Sequence, residues 1–222
     1  MIRAVIFDMF ETLITHYHSP LYFGEQMAAD AGIPWETFRA LWRPTGHART
    51  VGEMTLEEVL AMILRANGCY SDKLLCDLAE KRVAAKRECF QHLHPEIIPM
   101  LAALRERGIL IGLISNCFSE EVGVIRESVL YPYFDAVCFS YEEGVAKPDP
   151  EIFRRCVKKL SAAAADCLYV GDGGSDELEA ADDLGMMPLQ AVWYLKERMA
   201  EVPMREKQFR QLQSPLEILN CL

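Results

Sequence analysis

The chain has 222 residues, 51% of them apolar and 25% charged, and a formal net charge of −10. That length fits one domain, or one core carrying a modest insertion, of ordinary globular composition. The acidic balance argues against a nucleic-acid or anionic-membrane partner and leaves open a small phosphorylated molecule held by a local cation. No apolar run approaches the length of a membrane span. Met1-Ile2-Arg3 leads straight into an apolar segment, with no room for a signal peptide. The eight cysteines have no CxxC pair and no regular spacing, which fits a reduced, cytoplasmic setting.

The chain opens on Ala4-Val5-Ile6-Phe7 followed by Asp8-Met9-Phe10-Glu11-Thr12. A continuous apolar run reads as a strand buried on both faces of a parallel sheet. Asp8 then sits at a carboxyl end, where such sheets collect ligands, and suits a nucleophilic carboxylate. Taken alone, it reads first as an Asp that starts a turn.

From Pro20 to Phe90 the patterning is helical, with segments near Leu21–Ala31, Trp35–Trp42, Leu56–Ala66 and Ser71–Cys89. Pro34, Thr55-Leu-Glu-Glu and Ser71-Asp72 supply start signals. Tyr22, Phe23, Trp35, Phe38 and Trp42 are expected mainly in the core of this helical unit. Residues 43 to 49 read as a polar loop, either solvated or touching a substrate, with Arg43 the candidate for contact. His16, His18, His92 and His94 flank the insertion and are read as linker histidines in preference to a second metal site.

Alternation begins at His94-Pro95. Helices are expected over Pro95–Arg107, Ser119–Leu130, Asp149–Leu160 and Glu177–Leu184. Strands fall at Ile109–Ile114, Ala136–Phe139, Cys167–Val170 and Pro188–Val192. This order predicts an α/β fold, a Rossmann-like parallel sheet with helices on both faces and an inserted all-helical cap. Residues 1–15 and 92–222 form the core and 16–91 the cap. The tail from Lys196 is mixed and ends in an amphipathic helix near Pro215–Leu222.

Several of these strands lead into polar signatures. Ser115-Asn116 offers a hydroxyl and an amide to an oxyanion, or a helix cap. Lys147-Pro148 presents a fixed positive charge, or a solvated loop lysine. Gly171-Asp172-Gly173-Gly174-Ser175-Asp176 lets backbone approach a ligand and spaces two acids toward one pocket, or forms a glycine-rich turn.

Together, in this order, Asp8-x-x-x-Thr12, Ser115-Asn116, Lys147-Pro148 and Gly171-Asp172-x-x-x-Asp176 resemble the four motifs of the haloacid dehalogenase superfamily, and the helical insertion resembles its cap. The resemblance implies a hydrolase in which Asp8 forms a covalent aspartyl intermediate and Ser115 and Lys147 hold phosphoryl oxygens. Thr12 and Arg43 are expected at the substrate, and Asn116 either there or supporting the loop. Mg²⁺ is expected on Asp8, the Phe10 carbonyl and Asp172, with Asp176 as ligand or support. Carboxylates converging on one cleft repel one another, and a cation would keep them ionised. The expected partner is a small phosphorylated metabolite, with no nucleic acid and no membrane, and the chain a monomer or homodimer.

Phe10 departs from the pattern. The phosphatases of the superfamily place a second Asp there as general acid, and its loss typically slows turnover by about 10²–10⁴-fold. Glu11 is a candidate replacement, although successive residues tend to point apart, and a cap residue is another. An aromatic residue at this position is also a trait of 2-haloacid dehalogenases, which need no metal and hold halide and carboxylate with a cap arginine, for which Arg39, Arg43 and Arg49 are the candidates. A dehalogenase, or a weakly catalytic binding protein on the same fold, is therefore the alternative reading.

Overall fold

A computed structural model describes residues 1–198 and 208–222. In chain order its elements are β1 (Ala4–Phe7), α1 (Gly24–Asp30), α2 (Trp35–Trp42), α3 (Gly46–Thr50), α4 (Leu56–Ala66), α5 (Asp72–Glu88), α6 (Ile97–Glu106), β2 (Leu110–Ser115), α7 (Ser119–Glu127), β3 (Ala136–Phe139), α8 (Ser140–Glu143), α9 (Pro150–Lys159), β4 (Cys167–Gly171), α10 (Glu177–Asp183), β5 (Met187–Ala191), α11 (Trp193–Arg198) and β6 (Arg210–Leu212). The six strands form one parallel sheet in the order β3-β2-β1-β4-β5-β6. Successive strands step outward from β1 in one direction and then, from β4 on, in the other. The crevice at the carboxyl ends beside β1 is thus the topological switch point of the sheet.

All four residues of β1 are buried, which is why the sequence shows an unbroken apolar run there. Their side chains alternate between faces. Val5 and Phe7 join the cluster built on α6 and α7, with Leu101 and Ile125. Ala4 and Ile6 join the cluster of α9 and α10, with Phe153 and Leu178. Gly112 on β2 allows α9 to pack closely, since a Cβ there would lie 3.0 Å from both Cys156 Sγ and Leu160 Cδ1.

Helices α1, α2, α4 and α5 enclose a third apolar cluster that includes Met27, Phe38, Val59, Leu60, Ile63 and Leu78. Each such side chain contributes about 1.5–3 kcal/mol when fully buried. Two of the start signals in the sequence operate as side-chain caps, that of α4 reciprocally. Thr55 Oγ1 accepts from the Glu58 N–H at 3.1 Å, and the Glu58 carboxylate accepts from the Thr55 N–H at 2.8 Å. Ser71 Oγ accepts from Leu74 N–H and opens α5. Across to the core, the Leu56 N–H donates to Ser119 Oγ at 3.0 Å.

Three sequence expectations change. The segment 43 to 49 is a 3-10 turn, Arg43–Thr45, running into α3. A sixth strand, β6, pairs with β5; its three residues, only one of them buried, are too few to give a periodic signal. The expected terminal helix is a 3-10 turn over Pro215–Asn220, and residues 199–207 of the tail lie outside the described residues. No helix among the described residues is long and apolar enough to cross a membrane.

Candidate active site

Asp8 leaves β1 at its carboxyl end and stays buried, its N–H donating to the Val170 carbonyl at 2.9 Å. Lys147 Nζ donates to Asp8 Oδ1 and to Glu177 Oε2, and lies 3.3 Å from the Tyr169 hydroxyl. The loop carrying Lys147 is held by Asn116. The Lys147 N–H donates to Asn116 Oδ1 at 2.8 Å, and Asn116 Nδ2 donates to the Lys147 carbonyl at 3.0 Å. Of the two roles expected for Asn116, supporting the loop or touching the substrate, its amide serves the first, committed at both ends to positioning the lysine. Ser115, the last residue of β2, is fully buried and its Oγ has no hydrogen-bond partner. The same holds for Thr12 Oγ1, while the Thr12 carbonyl accepts from Trp193 Nε1 at 2.9 Å. Unpartnered buried hydroxyls are unusual enough to require a reason, and a bound anion would supply one for Ser115.

The acidic residues differ from the expected set. Carboxylate oxygens of Asp8, Asp172 and Glu177 all lie within 4.8 Å of one another. Asp176, expected as metal ligand or support, is exposed and faces a surface groove that also includes Arg154 and Asp183. Backbone geometry explains the exchange. Gly173, Ser175 and Asp176 all have positive φ, at 95°, 56° and 49°, and this left-handed winding turns the chain so that the next residue faces inward. Glu177 is 1% exposed and takes hydrogen bonds from Tyr169 at 2.8 Å and from the Gly173 N–H at 3.2 Å. Gly171 makes room for it, since a Cβ there would lie 2.0 Å from Glu177 Oε1. Sequence reasoning missed Glu177 because an acid in a first helical turn ordinarily serves the helix dipole.

Burial raises the pKa of Asp172 to about 6, helped by the charge on Glu177. It raises Glu177 to about 7 and pushes Asp8 upward, against the opposing charge of Lys147 in both cases. Burial also disfavours the charge on Lys147, but Asp8 and Glu177 together outweigh it and raise its pKa. One cation therefore serves three carboxylates. This donor set fits a hard divalent ion, which takes carboxylate oxygens and keeps the rest of its sphere for water and substrate.

A cavity of about 330 Å³ opens between the helical insertion and the core, and its lining includes none of Asp8, Asp172 and Glu177. Phe10 and Asn116 line its core side, and Trp42 and Arg49 its helical side. Arg43, the expected contact, is exposed and absent from this lining; Arg49 is the buried arginine of the segment. His16 stacks on Phe10 with ring centroids 4.7 Å apart. Its Nε2 lies 2.6 Å from Lys86 Nζ, which makes Nε2 the acceptor and Nδ1 the donor to Glu11 Oε1 at 3.3 Å. Glu11 also accepts from Thr15 Oγ1 and from the His16 N–H. Burial acts against its ionisation, yet these bonds hold its pKa below the usual value, which counts against Glu11 as a proton donor. The flanking histidines do not cluster: His18 and His94 each meet the Tyr194 ring edge-on, while His92 pairs with Glu88.

Known proteins with similar sequences and folds converge on one family. Residues 2–185 match the haloacid dehalogenase-like hydrolases. A glyceraldehyde 3-phosphate phosphatase of Methanopyrus kandleri is 26% identical over 208 residues, covering 86% of this chain and 84% of that one. A phosphoserine phosphatase of Thermus thermophilus is 31% identical over 105 residues, 46% of this chain and 40% of that one. A 2-haloacid dehalogenase from Pseudomonas syringae shares the fold with a TM-score of 0.70 at 21% identity, over 99% of this chain and 97% of that one. A HAD family enzyme of Bacteroides thetaiotaomicron, solved with magnesium and inorganic phosphate, does so with a TM-score of 0.63 at 20% identity, over 86% and 94%. A parallel sheet that switches direction at β1, with a match running through most of its length, identifies this chain as a hydrolase of the haloacid dehalogenase-like family.

Proposed function

We propose that the protein is a phosphatase acting on a small phosphate monoester, with Asp8 as nucleophile and residues 16–91 as a cap over the site. The observation that carries this reading is the buried contact of Lys147 with Asp8, inside a cluster completed by Asp172 and Glu177. In the first step an Asp8 oxygen bonds to phosphorus and the bond to the leaving alcohol breaks. Water then attacks the aspartyl-phosphate, releasing inorganic phosphate and restoring the carboxylate. Lys147 grips Asp8 and neutralises one of its neighbours, and the buried, unpartnered Ser115 hydroxyl is suited to a phosphoryl oxygen. Asp8, Asp172 and the Phe10 carbonyl would hold Mg²⁺, with Glu177 tying Lys147 behind them. When bound, Mg²⁺ neutralises charge on the phosphoryl oxygens. The phosphatases among the relatives support a phosphorylated substrate, and eight free thiols support a reducing cytoplasm.

Phosphate release from a panel of phospho-metabolites and an aryl phosphate, with Mg²⁺ and with EDTA, tests the reading. Metal-dependent release that disappears in Asp8→Asn, with the variant still folded, is the expected result. Residual activity above about a tenth of wild type would remove Asp8 from its role. Phe10 favours a second reading, since a halide leaves without a proton. Chloride release from 2-chloropropionate in the absence of phosphate release would establish it. On the phosphatase reading, Phe10→Asp supplies the usual acid and raises turnover of alkyl esters by up to about 10²-fold. No gain would locate the proton donor elsewhere.

A further inference from the structure

Tyr169 lies in the middle of β4, completely buried, and reads in the sequence as one more apolar residue of that strand. Its ring belongs to the cluster beneath α9 and α10, with its centroid 5.2 Å from that of Phe153. Phenylalanine would fill the same space and bring no polar atom to satisfy. A hydroxyl taken out of water is unfavourable unless it is hydrogen-bonded, so the partners of this one account for the tyrosine.

Those partners are ionic. The hydroxyl donates to Glu177 Oε2 at 2.8 Å and accepts from Lys147 Nζ at 3.3 Å. Glu177 Oε2 also accepts from Lys147, while Glu177 Oε1 accepts from the Gly173 N–H at 3.2 Å. Both oxygens of the acid are therefore held, one by backbone and the other by the tyrosine and the lysine.

Lys147 needs such support. Asn116 fixes only its backbone, and a flexible four-carbon stem separates that backbone from the ammonium group. An ammonium group has three hydrogens. For Lys147 they match three acceptors, Asp8 Oδ1, Glu177 Oε2 and Tyr169 Oη. Of the three, the tyrosine is the rigid one, a ring packed in the core on a strand of the sheet. A group that must be held within a fraction of an ångström is best locked by neighbours of this kind.

Resting on the phosphatase reading above, we propose that Tyr169 is a positioning residue for the reaction: its hydroxyl holds Glu177 and, with it, keeps the Lys147 ammonium aimed at Asp8 while that carboxylate attacks phosphorus. Its effect on Asp8 passes through these two side chains.

Tyr169→Phe removes the oxygen and keeps the ring. The test follows phosphate release, with Mg²⁺, from whichever phospho-metabolite or aryl phosphate the wild type hydrolyses fastest. A fall in kcat of about 10–10²-fold is expected, as for a misaimed reacting group. KM and the inhibition constant of inorganic phosphate should stay within about threefold of wild type, since the interaction serves the transition state and not ground-state binding. In a Glu177→Leu background the same substitution should cost less than about threefold, because residues that act as one unit are not additive. A tyrosine that only packed would cost the same in both backgrounds. Should Glu177→Leu fail to fold, the split between kcat and KM in Tyr169→Phe decides alone. A folded Tyr169→Phe with kcat within about threefold of wild type overturns this inference alone. So does an equal loss in both backgrounds, or a rise in KM and inhibition constant that matches the fall in kcat. No phosphate release from any ester by the wild type overturns it together with the phosphatase reading.

Discussion

Two buried ionic clusters are out of balance in opposite directions. On the sheet side, Lys147 meets Asp8 and Glu177, with Asp172 close by, so negative charge is in excess. On the cap side, Arg82 and Lys86 use up Glu120 and Glu121, and Arg49 is left over, so positive charge is in excess. The clusters also differ in what they join. The first ties the tip of β1 to the loop before α9 and to the start of α10, all within the core. The second ties α5 of the insertion to α7 of the core, across the boundary between two apolar clusters. Burying either set without full pairing is unfavourable.

The largest expected effect comes from unbalancing the sheet side further. Lys147→Met leaves three carboxylates without a protein cation and should lower kcat by about 10³-fold. A drop of less than tenfold at saturating substrate would mean that Lys147 only packs. On the cap side, Lys86→Met leaves Glu121 buried opposite a single cation and should cost about 3–5 kcal/mol in urea unfolding. Lys86→Met combined with Glu121→Leu should recover most of that loss, and equal destabilisation in the single and double variants would show that the pair is not the unit that matters.

The smaller effect concerns pH. Asp172 rises from 3.8 to about 6 and Glu177 from 4.5 to about 7 on folding. Each acid therefore binds its proton more tightly when folded, and the unliganded protein loses stability as pH climbs through roughly 4 to 7. At one pKa unit per about 1.4 kcal/mol, the loss is on the order of a few kcal/mol. Mg²⁺ should recover it, so the gain in Tm on adding Mg²⁺ should be larger at pH 8 than at pH 5. Equal gains at both would place the bound ion away from these carboxylates.

The sheet was legible because its strands are buried on both faces and so stand out as apolar runs. The strand tips were legible for a related reason: a polar residue directly after such a run has few places to go. Glu177 was not legible, since its inward turn depends on positive φ at Ser175 and Asp176, a conformation that non-glycine residues adopt only where surrounding structure enforces it. Arg49 was one of three candidate cap arginines and was not singled out, for a different reason. Arg43-Pro-Thr-Gly-His47-Ala-Arg49 is polar throughout, and nothing in its composition distinguishes the exposed arginine from the one enclosed by Trp42 and Phe118. The ring that encloses it from the core side lies 69 positions later in the chain.

Trp193 and Tyr194 on α11 give the molecule a boundary that similarity alone would draw elsewhere. The family match ends at residue 185. Beyond it, Trp193 Nε1 donates to the Thr12 carbonyl, and the Tyr194 hydroxyl accepts from the His94 N–H at 2.8 Å. His18 lies against the same tyrosine ring. The chain thus enters and leaves its helical insertion past a single side chain that belongs to neither linker. A fragment trimmed to the matched segment would keep every strand-tip motif and lose the post to which both of its linkers are moored.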